Sequence, residues 1–234
     1  MAVSGILYLC YFGLREPLVQ TQVIPYLREL AKVGGLKPTL LTFEPDRQKA
    51  WTQEAINEQR AQLESKGIRW LSLPYHKRPS LPATAYDILA GAWKAARLIR
   101  QDRIEVLHAR AHIPLAMALL AQRLKSCRLV FDIRGLMAEE YADAGVWKET
   151  SLPFRLIKWL ERKGIRRADQ IVVLTKRMRA WLVEQRLASA ERVEVIPCCV
   201  DFQRFAEASD EKNASTANRF EVVYAGSVTG LYML

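Results

Sequence analysis

The sequence predicts an α/β protein, a Rossmann-like, doubly wound and mostly parallel sheet flanked by helices. Three observations carry that expectation. Seven apolar runs of strand length recur along the chain, the text between them shifts to a helical period, and the first run, ILYLCY, is continuous rather than alternating. Continuous apolar strands are those covered by helices on both faces, and strand and helix in alternation give a parallel sheet.

The runs are taken in chain order. Ile6 to Tyr11 is the first strand. A helix of about Leu18 to Lys32 follows, with Pro25 in its interior, where the ring removes a backbone hydrogen bond and predicts a kink. Gly34 and Gly35 supply its stop. Pro38 to Phe43 and Ile68 to Leu73 are the second and third strands. In Tyr86 to Arg100, Ile88, Ala92, Ala95 and Ile99 share one helical face, opposite Asp87, Lys94 and Arg97. Ile104 to His108 and Arg128 to Ile133 are the fourth and fifth strands. Ser151 to Arg167 is helical, with Leu152, Leu156, Trp159 and Leu160 on one arc beside a stripe of Arg155, Lys158, Arg162 and Arg166. Gln170 to Leu174 and Arg192 to Ile196 complete the set.

From Asp201 to Arg219 the composition turns to Ala, Ser, Asn, Asp, Glu and Lys, the texture of an exposed linker. A new apolar run, Phe220 to Ala225, then opens a second domain that the sequence does not continue. The expected organisation is residues 1–201 as the Rossmann-like domain, 202–219 as linker, and 220–234 as the first strand and loop of a truncated second domain.

Half of the 234 residues are hydrophobic, enough for one large core, so disorder is excluded as the default. The formal charge of +10 favours anionic partners such as nucleotide phosphates, nucleic acid or acidic lipid heads. Nucleic acid is the weakest of these, because no aromatic platform accompanies the charge. Cys10, Cys127, Cys198 and Cys199 follow no metal-ligand spacing and are expected as free thiols in a reducing cytoplasm. The apolar stretch Ile6 to Phe12 has no basic region before it and ends at Gly13, Arg15 and Glu16; it is not read as a leader. A membrane span needs about 20 apolar residues, and the chain offers none, so a soluble or peripheral protein is expected.

In an open α/β sheet, ligands lie beyond the carboxyl ends of the strands. Three polar clusters fall there: Gly13, Leu14, Arg15 and Glu16; His108, Arg110 and His112; and Asp132, Arg134, Gly135, Glu139 and Glu140. The first lacks the G-x-G-x-x-G spacing that seats a dinucleotide pyrophosphate, so no nicotinamide or flavin site is expected. The second offers two imidazoles and a guanidinium to a sugar or an anion, or serves as a hydrogen-bonded strand end. No carboxylate or thiol stands near it at ligand spacing, which disfavours zinc. In the third, Asp132 and Arg134 point the same way from a strand and pair with each other, position a ligand, or both. Glu139 and Glu140 begin the next segment, as substrate contacts or as favourable charges at a helix start. The basic helix Ser151 to Arg167 is either a core helix with a solvated basic face or a contact for anionic lipid or a lipid-phosphate substrate.

Six segments, in order, resemble the N-terminal half of family-4-like glycosyltransferases of the GT-B fold. They are Leu18-Val19-Gln20-Thr21-Gln22-Val23 with Tyr26-Leu27 and Gly34; Val106-Leu107-His108-Ala109-Arg110; Phe131-Asp132-Ile133-Arg134-Gly135; Ala168-Asp169-Gln170-Ile171-Val172-Val173-Leu174-Thr175; Val195-Ile196-Pro197-Cys198-Cys199-Val200-Asp201 with Phe205; and Val222-Val223-Tyr224-Ala225-Gly226-Ser227. The chain departs from the pattern in three places. Pro17-Leu18 stands where many relatives have a Gly-Gly pair, Arg110 where many have a second His, and Cys198-Cys199 where Asn-Gly is usual.

The resemblance implies two Rossmann-like domains across a cleft, transferring a sugar from a nucleotide donor to an acceptor with retention of anomeric configuration. It places His108, Arg110 and His112 at the transferred-sugar and acceptor edge, and Gly13, Arg15, Gln20, Asp132, Arg134, Gly135 and Glu139 as substrate contacts. Gly226 and Ser227 resemble the start of the donor loop. It implies no metal and no cofactor, the nucleotide sugar being a co-substrate. The acceptor is expected to be a glycan or glycolipid, and the setting cytoplasmic, with peripheral contact at the inner membrane face through Arg155, Lys158, Arg162 and Arg166. Most of the donor site belongs to the family's second domain, so the chain alone is expected to be inactive. Two other readings are a different GT-B enzyme, such as a nucleotide-sugar epimerase, and a non-catalytic module that uses the basic helix to hold a membrane or partner.

Overall fold

A computed structural model describes residues 4–33, 35–45 and 51–199. Seven strands form one sheet in the order β3-β2-β1-β4-β5-β6-β7, and every neighbouring pair is parallel. The strands are β1 Ser4–Leu9, β2 Leu36–Glu44, β3 Arg69–Pro74, β4 Ile104–Arg110, β5 Arg128–Ile133, β6 Gln170–Val173 and β7 Val193–Val195. Seven α-helices lie among the described residues: α1 Ile24–Lys32, α2 Gln53–Glu64, α3 Ser80–Gln101, α4 His112–Leu124, α5 Met137–Asp143, α6 Leu152–Arg167 and α7 Lys176–Glu184. The strand order reverses between β1 and β4, which is where a doubly wound sheet opens a crevice for ligands.

The two faces of the sheet bury separate apolar sets, as period-2 alternation requires. Leu7, Leu9, Leu41, Phe43 and Leu107 face α3, α4 and α6, whereas Tyr8, Cys10, Leu40 and Trp70 face α1 and α2. Gly164 lets α6 come close to α4, because a Cβ there would drive into Leu115. Thr52 and Thr175 cap α2 and α7, their hydroxyls accepting from the Ala55 and Met178 amides.

One expectation is refined and one is corrected. The segment 18–32 is helical throughout, as expected, but its turn before Pro25 is wound as a π segment, Val19–Val23, which runs directly into α1. On α6, Leu152, Leu156 and Trp159 do not join the core with Leu160. They are exposed, and the buried stripe is Ile157, Leu160, Glu161, Gly164 and Ile165. The helix therefore turns Arg155, Arg162 and Arg166 outward together with three large apolar residues, while Lys158 turns inward. Gly34, the linker 202–219, the apolar run Phe220 to Ala225, Gly226 and Ser227 lie outside the described residues.

Candidate active site

Sheet register assembles the site. Tyr8 of β1 lies opposite His108 of β4, and Arg110 of β4 lies opposite Asp132 of β5. Tyr8, His108, Arg110 and Asp132 therefore share the face covered by α1, and Arg134 follows just past the end of β5. His108, Arg110 and Asp132 are buried, at 3%, 5% and 3% exposure. They line a cavity of about 500 Å³ together with Gln22, Tyr26 and Arg134.

Asp132 is the hub. Its Oδ2 accepts from the Tyr8 hydroxyl at 3.3 Å and lies 3.7 Å from both His108 Nε2 and Arg110 Nη1. Its Oδ1 is 3.5 Å from Arg134 Nη1. Burial pushes its pKa up, but His108, then Arg134 and Arg110, outweigh burial and hold the carboxyl below its ordinary value. Burial and the same carboxylate push Tyr26 up to about 12 and Tyr8 well above its usual range, so both phenols stay protonated as donors. From above, Gln22 Oε1 accepts from Arg110 Nη2 at 2.8 Å and Arg134 Nη2 at 2.7 Å. The Tyr8 and Tyr26 rings stand 4.4 and 5.5 Å from the His108 ring, fixing its plane.

The set is not closed on itself. His108 Nε2, Arg110 Nε and Asp132 Oδ1 are buried without a hydrogen-bond partner. Such atoms in a polar cavity can be satisfied by a ligand's hydroxyls or phosphoryl oxygens. Among the described residues no group of three or more His, Cys, Asp or Glu side chains is arranged to hold a metal.

Other residues named from the sequence lie elsewhere. Ala111, at φ 65 and ψ −172, turns the chain sharply between β4 and α4, so that Arg110 and His112 diverge. His112 is buried beneath α6, with Nε2 3.2 Å from Glu161 Oε2, and does not line the cavity. Gly13, Arg15 and Gln20 belong to a neighbouring network around the buried Glu44. Glu44 accepts from the Leu14 amide at 2.9 Å and from Trp51 Nε1 at 3.1 Å, Gln20 Nε2 donates to the Leu14 carbonyl at 2.6 Å, and Arg15 stacks 4.0 Å over Trp51. A Cβ on Gly13 would press on Pro45 and Glu44. Glu139 pairs with Lys158 at 2.5 Å. Gly135 leaves room for the Glu140 carboxylate, which a Cβ would strike.

Sequence reading missed Tyr8, Gln22, Tyr26 and Cys198. Tyr8 carried a signal, a phenol one residue before the end of β1 in a largely apolar run. Gln22 did not: which of two glutamines faces the cleft depends on the π turn. Cys198 closes the far side, 3.1 Å from Arg134 Nη2.

A model of Glycosyltransferase Family 4 matches residues 19–204. The chain belongs to glycosyltransferase family 4. No curated protein matches it. Among solved structures, a sucrose-phosphate synthase from Thermosynechococcus elongatus is 13% identical with a TM-score of 0.59, covering 86% of this chain and 49% of that one. A glycosyltransferase from Rickettsia africae is 14% identical with a TM-score of 0.54, covering 88% of this chain and 46% of that one. A UDP-N-acetylglucosamine 2-epimerase is 14% identical with a TM-score of 0.53, covering 82% of this chain and 47% of that one. The family 4 chain thus spans about half the length of the structures it matches, and what it shares with them is the Rossmann-like fold of the N-terminal half of the GT-B architecture.

Proposed function

We propose that this family 4 chain is the acceptor-side half of a glycosyltransferase that moves a sugar from a nucleotide-sugar donor to a glycan or glycolipid acceptor with retention. The observation that carries the reading is the family match over residues 19–204, which takes in β2 to β7, with the buried Tyr8, His108, Arg110, Asp132 cluster at the β1/β4 reversal. Likeness to an epimerase reports shared architecture; the family match favours transfer.

In this reading His108 and Arg110 contact the transferred sugar and the acceptor edge, and Asp132 and Arg134 orient the acceptor. Arg110, Arg134 and the phenols are donors fixed before substrate arrives, the arrangement that stabilises developing charge without reorganisation. His112 acts from behind, seating the β4–α4 turn. The nucleotide sugar is a co-substrate, and no cofactor or metal takes part. Donor-side groups, with Gly226 and Ser227 at their start, come from the family's second domain. The setting is the cytoplasm. Among the described residues no helix is long and apolar enough to cross a membrane.

Saturation-transfer NMR on the 234-residue chain tests the acceptor assignment. Soluble glycans are expected to show contacts that disappear in Arg110→Met and persist in the remote Arg97→Met. Contacts with nucleotide sugars alone, or glycan contacts indifferent to Arg110, would refute it. Retention is read separately, from the anomeric configuration of product made by the enzyme carrying both halves.

A further inference from the structure

The outward side of α6 carries a surface that sugar transfer does not use. Leu152, Leu156 and Trp159 are 77%, 56% and 55% exposed. Their spacing of four and three residues puts them on one stripe of the helix, so they form a contiguous patch rather than scattered exposed side chains. Lys163 and Arg166 continue the same stripe by the same spacing, and Arg155 and Arg162 flank it. Lys163 Nζ lies 4.4 Å from the Trp159 ring centroid, and a groove of about 760 Å³ is lined by Trp159 with Arg155, Arg162, Lys163 and Arg166.

The inner side of the helix is held in place by charge. Lys158 reaches Glu139 at 2.5 Å and Glu161 at 2.6 Å, and Glu161 reaches His112. Lys158 is therefore spent on structure. Among the described residues no ion pair engages Arg155, Arg162, Lys163 or Arg166. Nothing in α6's packing uses the outer stripe.

Orientation follows from topology. The far end of α6 is tied down beside the start of β5, where the Asp169 amide donates to the Leu129 carbonyl at 2.8 Å. A helix of 16 residues is about 24 Å long, so Leu152 stands toward the carboxyl ends of the strands, the edge on which the cavity opens.

We propose that this face docks on an anionic lipid bilayer. Leu152, Leu156 and Trp159 enter the boundary between headgroups and acyl chains, and Arg155, Arg162, Lys163 and Arg166 meet the lipid phosphates. Aliphatic and indole anchors interleaved with Arg and Lys, on a helix too polar to span, are what an interfacial helix needs. A second copy of the chain fits the face poorly, because a two-fold contact would set these cations against themselves. Nucleic acid has no use for an exposed leucine pair.

Flotation of the full chain with vesicles tests the proposal, using phosphatidylglycerol mixed into phosphatidylcholine and phosphatidylcholine alone. The protein is expected to float with the anionic vesicles and not with the neutral ones. Leu156→Glu/Trp159→Glu and Arg155→Glu/Arg162→Glu are each expected to lower the bound fraction at least about tenfold with the circular dichroism spectrum unchanged. Trp93→Glu, at a 61% exposed tryptophan on α3, is expected to change nothing. No flotation with anionic vesicles overturns the proposal, as does loss caused equally by Trp93→Glu. Loss with the arginine variant but not the apolar one overturns the insertion of α6. Sedimentation velocity covers the remaining occupant: a dimer that Leu156→Glu/Trp159→Glu dissociates, with no vesicle binding, assigns the face to a second copy. No sugar substrate enters the assay, so its failure leaves the transferase reading standing.

Discussion

Asp132→Asn removes one negative charge from among His108, Arg110 and Arg134 and nearly nothing else. The amide oxygen can still accept from the Tyr8 hydroxyl, so the substitution reads out charge. Two guanidinium partners, Arg110 and Arg134, sit at 3.7 and 3.5 Å, where each full charge pair is worth about 4–5 kcal/mol at an effective dielectric constant near 20 before desolvation is subtracted. Breaking a buried pair by removing one member costs about 3–5 kcal/mol, because the survivor stays buried and charged. Against a total stability of about 5–15 kcal/mol this is large. Urea denaturation at pH 7 should show Asp132→Asn less stable by about 3 kcal/mol or more. The exposed Arg69–Asp102 pair, at 2.6 Å, is the control, and Asp102→Asn should cost less than about 1 kcal/mol despite the shorter distance. The pH dependence has a fixed sign. Asp132 has a folded-state pKa below its ordinary 3.8, so its contribution is complete above that value and is lost as pH falls through the folded-state pKa. The gap between wild type and variant should therefore hold from pH 7 to about pH 5 and begin to close below about pH 4. If Asp132→Asn costs no more than Asp102→Asn, the hub argument is wrong.

Other positions give independent checks. Ala111 occupies backbone space that only glycine visits freely, so Ala111→Gly should stabilise by about 1 kcal/mol and Ala111→Val should destabilise, both read from thermal unfolding. Gly135→Ala should cost about 1–3 kcal/mol by driving a methyl into Glu140, and Glu140→Ala in the same chain should recover most of it. With an aromatic disulfide reagent at pH 8, exposed Cys198 and Cys199 should react quickly. Cys10, fully buried with its pKa raised to about 12, should react only on unfolding, and Cys127, raised to about 11, should lag behind the exposed pair.

The fold was legible because strand burial on both faces leaves a mark that one residue of error does not erase. Each of the seven apolar runs between Ile6 and Ile196 became a strand, with ends shifted by at most two residues, as at β1, which starts at Ser4 rather than Ile6 and ends at Leu9 rather than Tyr11. The half of the site on strands was legible for the same reason: His108, Arg110 and Asp132 follow from strand ends and the rule that ligands sit beyond them. What the sequence could not show was rotation about an axis. Gln22 rather than Gln20 faces the cleft because a π turn adds a residue to the first loop of the helix, and His112 leaves the cleft because Ala111 takes a positive φ. On α6 the period was right and the face was wrong. Two arcs of that helix carry apolar residues, and Gly164 against Leu115 decides which one is buried, a packing detail with no periodic signature.

A protein selected only to fold would have no reason to keep the cluster at β1, β4 and β5. Buried ion pairs are frequently no better than apolar side chains of similar volume, and here the pairs are long, while His108 Nε2, Arg110 Nε and Asp132 Oδ1 go without hydrogen bonds. The positions beside them show the alternative: Val172, directly opposite Asp132 on β6, and Val130, opposite His108 on β5, fit the same sheet with aliphatic side chains. Stability is thus given up at the one place where the strand order reverses, and the strained Ala111 adds to the cost within the same turn. Folding has to be supported by the apolar sets on both faces of the sheet, which leave the cluster rigid and incompletely satisfied. That is the state in which a binding group loses least when its ligand arrives, since its partners are already oriented and its open valences already dry.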